Sequence, residues 1–230
     1  FPEARKLAHL GIRTMPRRST LSDANVRRPE AVFEDTYRSL YVRYKDELSS
    51  DSRNRQVPSW LTRLQIIDST TITLFSNLIF KGVGRHPKTG KKKGGIKVHT
   101  NIHANEGVPS DIRFTSAATN DGFMLKPANY NDGDIVAMDR AYIDYSKFEE
   151  LTNRGVIYVT KMKKNLVYEV LSDMMYMSPC GLMEYRVQVV EFKKHIKDGE
   201  NIRHKARIVT YVDLTKKKPK VISLLTNDMD

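Results

Sequence analysis

Two stretches, each containing a short apolar run, decide the fold: Leu64-Gln-Ile-Ile-Asp-Ser-Thr-Thr71 and Asp134-Ile-Val-Ala-Met-Asp-Arg-Ala-Tyr142. Apolar, β-branched runs of this length are typical of buried strands. Asp68 lies within the first stretch, and Asp139 directly follows the apolar residues 135–138 of the second. A carboxylate beside a buried strand is costly to desolvate unless a cation compensates its charge. These two aspartates are therefore the first candidates for a functional site.

Oxygen ligands without a histidine–cysteine cluster favour a hard cation such as Mg²⁺ or Mn²⁺. Two such ions about 4 Å apart stabilise the attacking and leaving oxygens in phosphodiester chemistry. An alternative stays open, because either aspartate could cap a turn. It is stronger for Asp68, which Ser69, Thr70 and Thr71 follow. His99 and His103 lie four residues apart and could bind zinc, but hydrogen-bonded or solvated histidines are the better interpretation because no third ligand matches them.

The charge of the chain indicates a polyanionic partner. Its 230 residues include 39 Lys and Arg against 27 Asp and Glu, a net charge of +12. Nucleic acid is the first expectation and an anionic membrane the second, although a generically basic protein would show the same excess. No apolar run has the length of a membrane span. The single cysteine, Cys180, excludes a disulfide framework and predicts a reducing compartment.

The pattern of apolar residues predicts three segments. Residues 1–56 are helical and charged, with a polar linker at 49–55, and form a DNA-binding or linking segment. Residues 57–165 alternate strands with one helix, which a capping box from Ser146 to Glu149 opens. The order of these elements predicts a mixed α/β sheet of three antiparallel strands and parallel additions. Residues 166–230 read as an antiparallel β-rich insertion.

Several polar side chains could contact DNA phosphates or position the site, although each basic run could equally be a solvated turn and Arg140 and Tyr142 could be packing residues. The candidates are Lys91, Lys92, Lys93, Lys97, Arg140, Tyr142, Lys161, Lys163 and Lys164.

Three motifs together resemble a DDE transposase of the bacterial insertion-sequence-four type: Ile67-Asp-Ser-Thr-Thr71, Lys92-Lys-Gly-Gly-Ile-Lys-Val-His99 and Met138-Asp-Arg-Ala-Tyr142. The resemblance implies an RNase H-like core interrupted by a β-rich insertion. It also implies two divalent metal ions, Mg²⁺ or Mn²⁺, held by three carboxylates, of which Asp68 and Asp139 match the first two. The implied partners are double-stranded transposon ends and target DNA, with a homodimer on paired ends. The implied location is the bacterial cytoplasm at the nucleoid, with no membrane partner.

The third acid of that family does not match this sequence. The family places it in the pattern Tyr-x₂-Arg-x₃-Glu-x₆-Lys, and none of the 11 tyrosines here has Arg three residues later. Glu184 and Glu191 fall in the β-rich region and are poor substitutes. We therefore expect a transposase fragment, truncated before the third acid, with weak or absent cleavage by itself. Two alternatives stay open: a non-catalytic DNA-binding protein derived from a transposase, and an RNase H-like nuclease or resolvase.

Overall fold

The computed structural model describes residues 11, 14, 16–49, 57–73, 95–178, 183–194, 201–214 and 218–229. The chain forms two compact units, Phe1–Ser50 and Asp51–Asp230. Most of the predicted linker, Cys180 and the three candidates Lys91, Lys92 and Lys93 lie outside the described residues.

The first unit contains the two helices α1 (Arg18–Arg27) and α2 (Ala31–Ser49). Both helices lie in the segment that the sequence predicts to be helical. Both helices expose most of their described side chains, and the ring of Tyr37 stacks on that of Tyr41 with centroids 6.5 Å apart. Residues three or four positions apart lie on one side of a helix, which explains this contact.

The second unit alternates strands and short helices before it ends in four strands. A five-residue helix, α3 (Ser59–Arg63), leads into the first strand, and α4 (Tyr145–Asn153) connects the fourth and fifth. The strands are β1 (Leu64–Thr73), β2 (Gly95–His103), β3 (Pro109–Ser116), β4 (Ile135–Met138), β5 (Ile157–Lys161), β6 (Glu169–Met177), β7 (Glu184–Lys194), β8 (Ile202–Asp213) and β9 (Lys220–Thr226).

All nine described strands belong to one sheet, in the order β3-β2-β1-β4-β5-β9-β8-β7-β6. The neighbours β1, β4 and β5 are parallel, and every other described pair is antiparallel. This architecture confirms the predicted mixed α/β class and is consistent with an RNase H-like fold. The β-rich segment continues the same sheet, because β9 pairs directly with β5.

The hydrophobic core lies between α4 and one face of the sheet. Phe148 and Leu151 of α4 are fully buried, and the Phe148 ring stacks on Tyr158 of β5 with centroids 4.0 Å apart. Met138 of β4 and Ile67 of β1 are buried in the same core. Side chains alternate between the faces of a strand, so residues next to these core positions point to the opposite face.

The structure corrects three sequence-based expectations. Asp144, and not Ser146, caps α4, because its carboxylate accepts a hydrogen bond from the Ser146 N–H at 3.1 Å. No turn follows Asp68, since β1 continues to Thr73, and the turn-cap alternative for Asp68 is therefore wrong. Strand β6 was not predicted, because its apolar residues do not alternate with polar ones.

No helix among the described residues is long and apolar enough to cross a membrane.

Candidate metal and DNA site

The pairing of β1 with β4 brings the two candidate acids together. The strands run parallel, and Ile67 is level with Met138 at the end of their pairing. Asp68 is the next residue of β1, and Asp139 directly follows β4. The backbone of Asp139 is still extended, with φ −72° and ψ 157°. Both side chains are exposed. The residues that the sequence placed 71 positions apart therefore occupy one level of neighbouring strands.

Both acids point away from the hydrophobic core. Their immediate predecessors Ile67 and Met138 are buried on the α4 side, so alternation directs Asp68 and Asp139 to the opposite face. An open cleft of about 410 Å³ lies where the pairing of β1 with β4 ends, lined by Ile66, Ile67, Asp68, Ala137, Met138 and Asp139. Such a cleft has room for hydrated ions and a phosphate.

The carboxylates keep oxygen atoms available for a ligand. Asp68 accepts a hydrogen bond from the N–H of Ser69 at 2.7 Å through one oxygen, Oδ1. Asp139 occupies the N-cap position of the 3₁₀ turn Arg140–Tyr142, yet its side chain makes no capping hydrogen bond. Acidic oxygens held by backbone and exposed to solvent are suitable donors for a hard cation.

These two residues suit an ion that keeps some of its water, such as Mg²⁺, better than an ion that needs a full set of protein ligands. No group of three or more His, Cys, Asp or Glu able to hold a metal occurs within the described ranges. Mg²⁺ retains several waters and is commonly bound through one or two carboxylates together with substrate phosphates. The pair Asp68 and Asp139 matches that donor set, with the remaining positions left to water and phosphate.

Lys161 extends the row of acids by one strand. Met138 of β4 is level with Thr160 of β5, so Asp139 and Lys161 come at the same level and on the same face. Lys161 is half-buried, and Lys163 and Lys164, which follow β5, are half-buried and exposed respectively. Arg140 is exposed directly after Asp139. A basic flank beside two carboxylates suits a phosphodiester better than a free cation alone.

Two other predicted DNA contacts are engaged within the protein. Lys97 has a side chain only 12% exposed and donates to Asp121 Oδ1 at 3.0 Å and to the Thr119 carbonyl oxygen at 2.7 Å. Tyr142 is 1% exposed, which favours the packing alternative for this side chain. Lys97 lies level with Thr71, on the face of the sheet opposite Asp68.

The histidines do not form a metal site with the acids. His99 is fully buried, and its Nε2 lies 2.8 Å from Thr115 Oγ1, which agrees with the hydrogen-bonded interpretation. Burial lowers the pKa of His99, and the nearby Lys97 ammonium lowers it further, while the Asp121 carboxylate opposes both effects. A buried neutral imidazole in this position is a structural group.

Sequence reasoning missed Asp121 and Ser69. Asp121 lies in a 3₁₀ turn, Asp121–Phe123, and its Oδ1 accepts from Ser69 Oγ at 2.6 Å. Ser69 directly follows Asp68, which was a local signal, but nothing near Asp121 in the sequence indicated a contact 52 residues away. Burial raises the pKa of Asp121, but the hydrogen bonds from Ser69 and Lys97 outweigh it and hold the pKa below the ordinary value.

The fold and the paired carboxylates define an RNase H-like α/β protein with an exposed acidic site where the parallel pairing of β1 with β4 ends. Residues 59–226 match the transposase DDE domain, and the chain belongs to that family. The matched region contains every strand of the sheet and both acids.

One curated relative is similar over much of the same region. Putative transposase y4zB of Sinorhizobium fredii (strain NBRC 101917 / NGR234) is 26% identical over 156 residues. The alignment covers 68% of this chain and 40% of the relative. The chain therefore spans well under two thirds of the length of that relative.

Proposed function

We propose that this protein is a transposase of the insertion-sequence-four type that cleaves and joins DNA strands at the ends of an insertion sequence. The observation that carries the proposal is the placement of Asp68 and Asp139 at one level of two parallel strands, on an exposed face beside Lys161. Family membership supplies the reaction class, and the net charge of +12 supports DNA as the partner.

Asp68 and Asp139 would hold Mg²⁺ or Mn²⁺. The family implies two such ions, which would stabilise the attacking and leaving oxygens at phosphorus. The protein's own part is to aim these carboxylates and to bind DNA beside them. Water would be the first nucleophile and a DNA 3′-hydroxyl the second, which gives cleavage and then strand transfer. The exposed position of both acids allows a duplex to reach them.

The DNA contacts that the geometry supports best are Lys161, Lys163, Lys164 and Arg140, all at least partly exposed. Arg140 directly follows Asp139, Lys161 lies level with Asp139 on the neighbouring strand, and Lys163 and Lys164 follow that strand. Each would neutralise a phosphate and contribute to a salt-dependent affinity. We propose transposon ends and target DNA as substrates, with a homodimer holding paired ends in the bacterial cytoplasm at the nucleoid.

A second candidate function is a non-catalytic DNA-binding protein of transposase origin. The sequence lacks the Tyr-x₂-Arg-x₃-Glu pattern that supplies the third acid, and this absence favours weak or no cleavage by these 230 residues alone. An RNase H-like nuclease or resolvase whose last acid is supplied elsewhere is the remaining alternative. All three share the metal site, so metal binding is the property to test first.

Calorimetric titration with Mn²⁺ tests the site directly, using Asp68→Asn and Asp139→Asn. The matched control is Asp132→Asn. Asp132 is also exposed, but it lies in the turn before β4, at the opposite end of that strand from Asp139. We expect each site variant to weaken Mn²⁺ binding by at least ~10-fold, because it removes a charged ligand. Equal Mn²⁺ affinity in the site variants and the control would contradict the assignment.

Nicking of supercoiled plasmid DNA in Mg²⁺ or Mn²⁺ separates the enzyme from the binding protein. Cleavage that disappears in Asp139→Asn supports the transposase or nuclease. DNA binding without cleavage supports the non-catalytic alternative. Robust metal-dependent cleavage that survives Asp139→Asn would show that the active site lies elsewhere.

A further inference from the structure

A polar cluster lies directly behind the candidate metal site, on the opposite face of the sheet. Its centre is Asp121, whose Oδ1 receives hydrogen bonds from Ser69 Oγ at 2.6 Å and from Lys97 Nζ at 3.0 Å. The side chains of Lys97 and Asp121 are only 12% and 22% exposed. Removing one partner of such a poorly exposed ion pair is costly, because the other charge is left with little solvation.

Ser69 joins this cluster to the first acid. Its hydroxyl donates to Asp121 on one face of β1, while its backbone N–H donates to Asp68 Oδ1 at 2.7 Å. One residue is therefore fixed from both sides of the strand. Because the hydroxyl bond restrains Ser69, it also restrains the peptide that orients the Asp68 carboxylate.

Tyr142 approaches the same cluster from the chain segment of the second acid. It follows Asp139 by three residues and is 1% exposed, and its hydroxyl makes no hydrogen bond of standard geometry to a described residue. Burial raises the pKa of Tyr142 to about 12; the carboxylates of Asp121, Asp68 and Asp139 reinforce the rise, and proximity to Ser69 opposes it. The phenol thus lies in the electrostatic field of all three acids.

We propose that Asp121 is a positioning residue for the metal site: with Lys97 and Ser69 it fixes the orientation of the Asp68 carboxylate from behind the sheet. The inference rests on the proposed function in that Asp68 binds the metal ion. Residues that hydrogen-bond to the surroundings of metal ligands commonly set ligand orientation and affinity. Asp121 does so without touching the ion, and its negative charge also balances Lys97, which would otherwise repel a cation from the cleft.

The test uses Asp121→Asn, which keeps the size and the accepting oxygen of the side chain but removes its charge, and Ser69→Ala, which removes the hydrogen bond to Asp121. The control is Asp111→Asn. Asp111 pairs with Arg113 at 2.9 Å and has a side chain 20% exposed, nearly the same as Asp121, but it lies on β3.

The first measurement is amide hydrogen exchange at residue 69 by NMR without metal. We expect Ser69→Ala to speed exchange at this amide roughly fivefold relative to the other β1 amides, because the hydroxyl bond that restrains the peptide is lost. Asp121→Asn should speed it by a smaller factor, because a neutral amide oxygen accepts the Ser69 hydrogen bond more weakly than a carboxylate. Asp111→Asn should leave it unchanged. Unchanged exchange at residue 69, or uniform acceleration along β1, would overturn the proposal by showing no local restraint or a purely global loss of stability.

The second measurement is the Mn²⁺ affinity by calorimetry. We expect Asp121→Asn to weaken binding ~10-fold and the pair of changes Lys97→Gln with Asp121→Asn to recover part of the loss, since the uncompensated ammonium is then gone. An affinity equal to that of Asp111→Asn would overturn the proposal. If the unmodified protein binds no Mn²⁺ at Asp68, the proposed function fails, and the exchange measurement still decides whether Asp121 positions Asp68.

Discussion

His204 Nδ1 lies 2.7 Å from Glu149 Oε2, and this contact joins β8 to α4 inside the sheet's core. The other ring nitrogen, Nε2, lies 2.6 Å from the Tyr158 hydroxyl of β5. One neutral tautomer satisfies both contacts, with Nδ1–H donating to the carboxylate and Nε2 accepting from the phenol. The β-rich segment is therefore bonded to the RNase H-like core through a fully buried imidazole. Glu149, predicted to complete a capping box, serves this contact instead.

Acidification should destabilise the protein through this histidine. Burial lowers the pKa of His204 below its ordinary value of 6.5, although the hydrogen bond and charge of Glu149 oppose the shift. The unfolded chain then binds a proton more readily than the folded one below about pH 6.5, so stability is fully present above that pH and falls beneath it. We expect a loss of up to ~1.4 kcal/mol per pH unit for this group. Thermal melts between about pH 7.5 and about pH 5.5 measure it.

His204→Phe should flatten that pH profile, because it removes the buried imidazole whose pKa is lowered. Buried His99, whose pKa is also lowered, accounts for part of the remaining slope. An identical slope in His204→Phe and the unmodified protein would contradict the prediction.

The stacked pair Phe148 and Tyr158 should be a principal source of stability. The rings lie 4.0 Å apart and neither side chain is exposed. We expect Phe148→Ala to lower the free energy of unfolding by about 3–5 kcal/mol, because it leaves a cavity between α4 and β5. Phe123→Ala, at a ring that is 42% exposed, should cost much less. Urea unfolding compares the two variants, and equal losses would count against a core centred on α4.

The sequence predicted the elements better than the contacts between them. Strands β1 to β5 follow from apolar runs and alternation, and the parallel pairing of β4 with β5 follows from the helix α4 that connects them. The sequence does not predict strand β6, because Met174, Met175 and Met177 do not alternate with polar residues. Local charge makes Lys97 a candidate DNA contact, whereas its partner Asp121 is 24 residues away in sequence and only the folded chain brings the two together.

Gly155 should be required for the sharp turn between α4 and β5. Its φ is +68°, and an added Cβ would collide with the Asp132 carboxylate. We expect Gly155→Ala to destabilise the protein by ~1–3 kcal/mol, from backbone strain and the collision together. Gly107→Ala is the matched control, because its φ is +69° and nothing lies within 4 Å of the added atom. Urea unfolding should show the smaller loss for Gly107→Ala, and equal losses would exclude a role for the collision.

Lys161 should contribute more to DNA affinity than a surface lysine that lies away from the two acids. It follows Thr160 at the level of Asp139, where a phosphate held by the acids and their ions would meet it. Lys161→Gln should weaken binding to duplex DNA and reduce the slope of log affinity against log salt by ~1, because one phosphate contact and its released counterion are lost. The control is Lys126→Gln. Lys126 lies on the other side of the sheet, and its ammonium is 5.4 Å from the centre of the Phe123 ring. Fluorescence anisotropy across a salt series measures both slopes. A change that is the same for both variants would indicate only a lower net charge, and it would remove Lys161 from the proposed DNA path past Asp68 and Asp139.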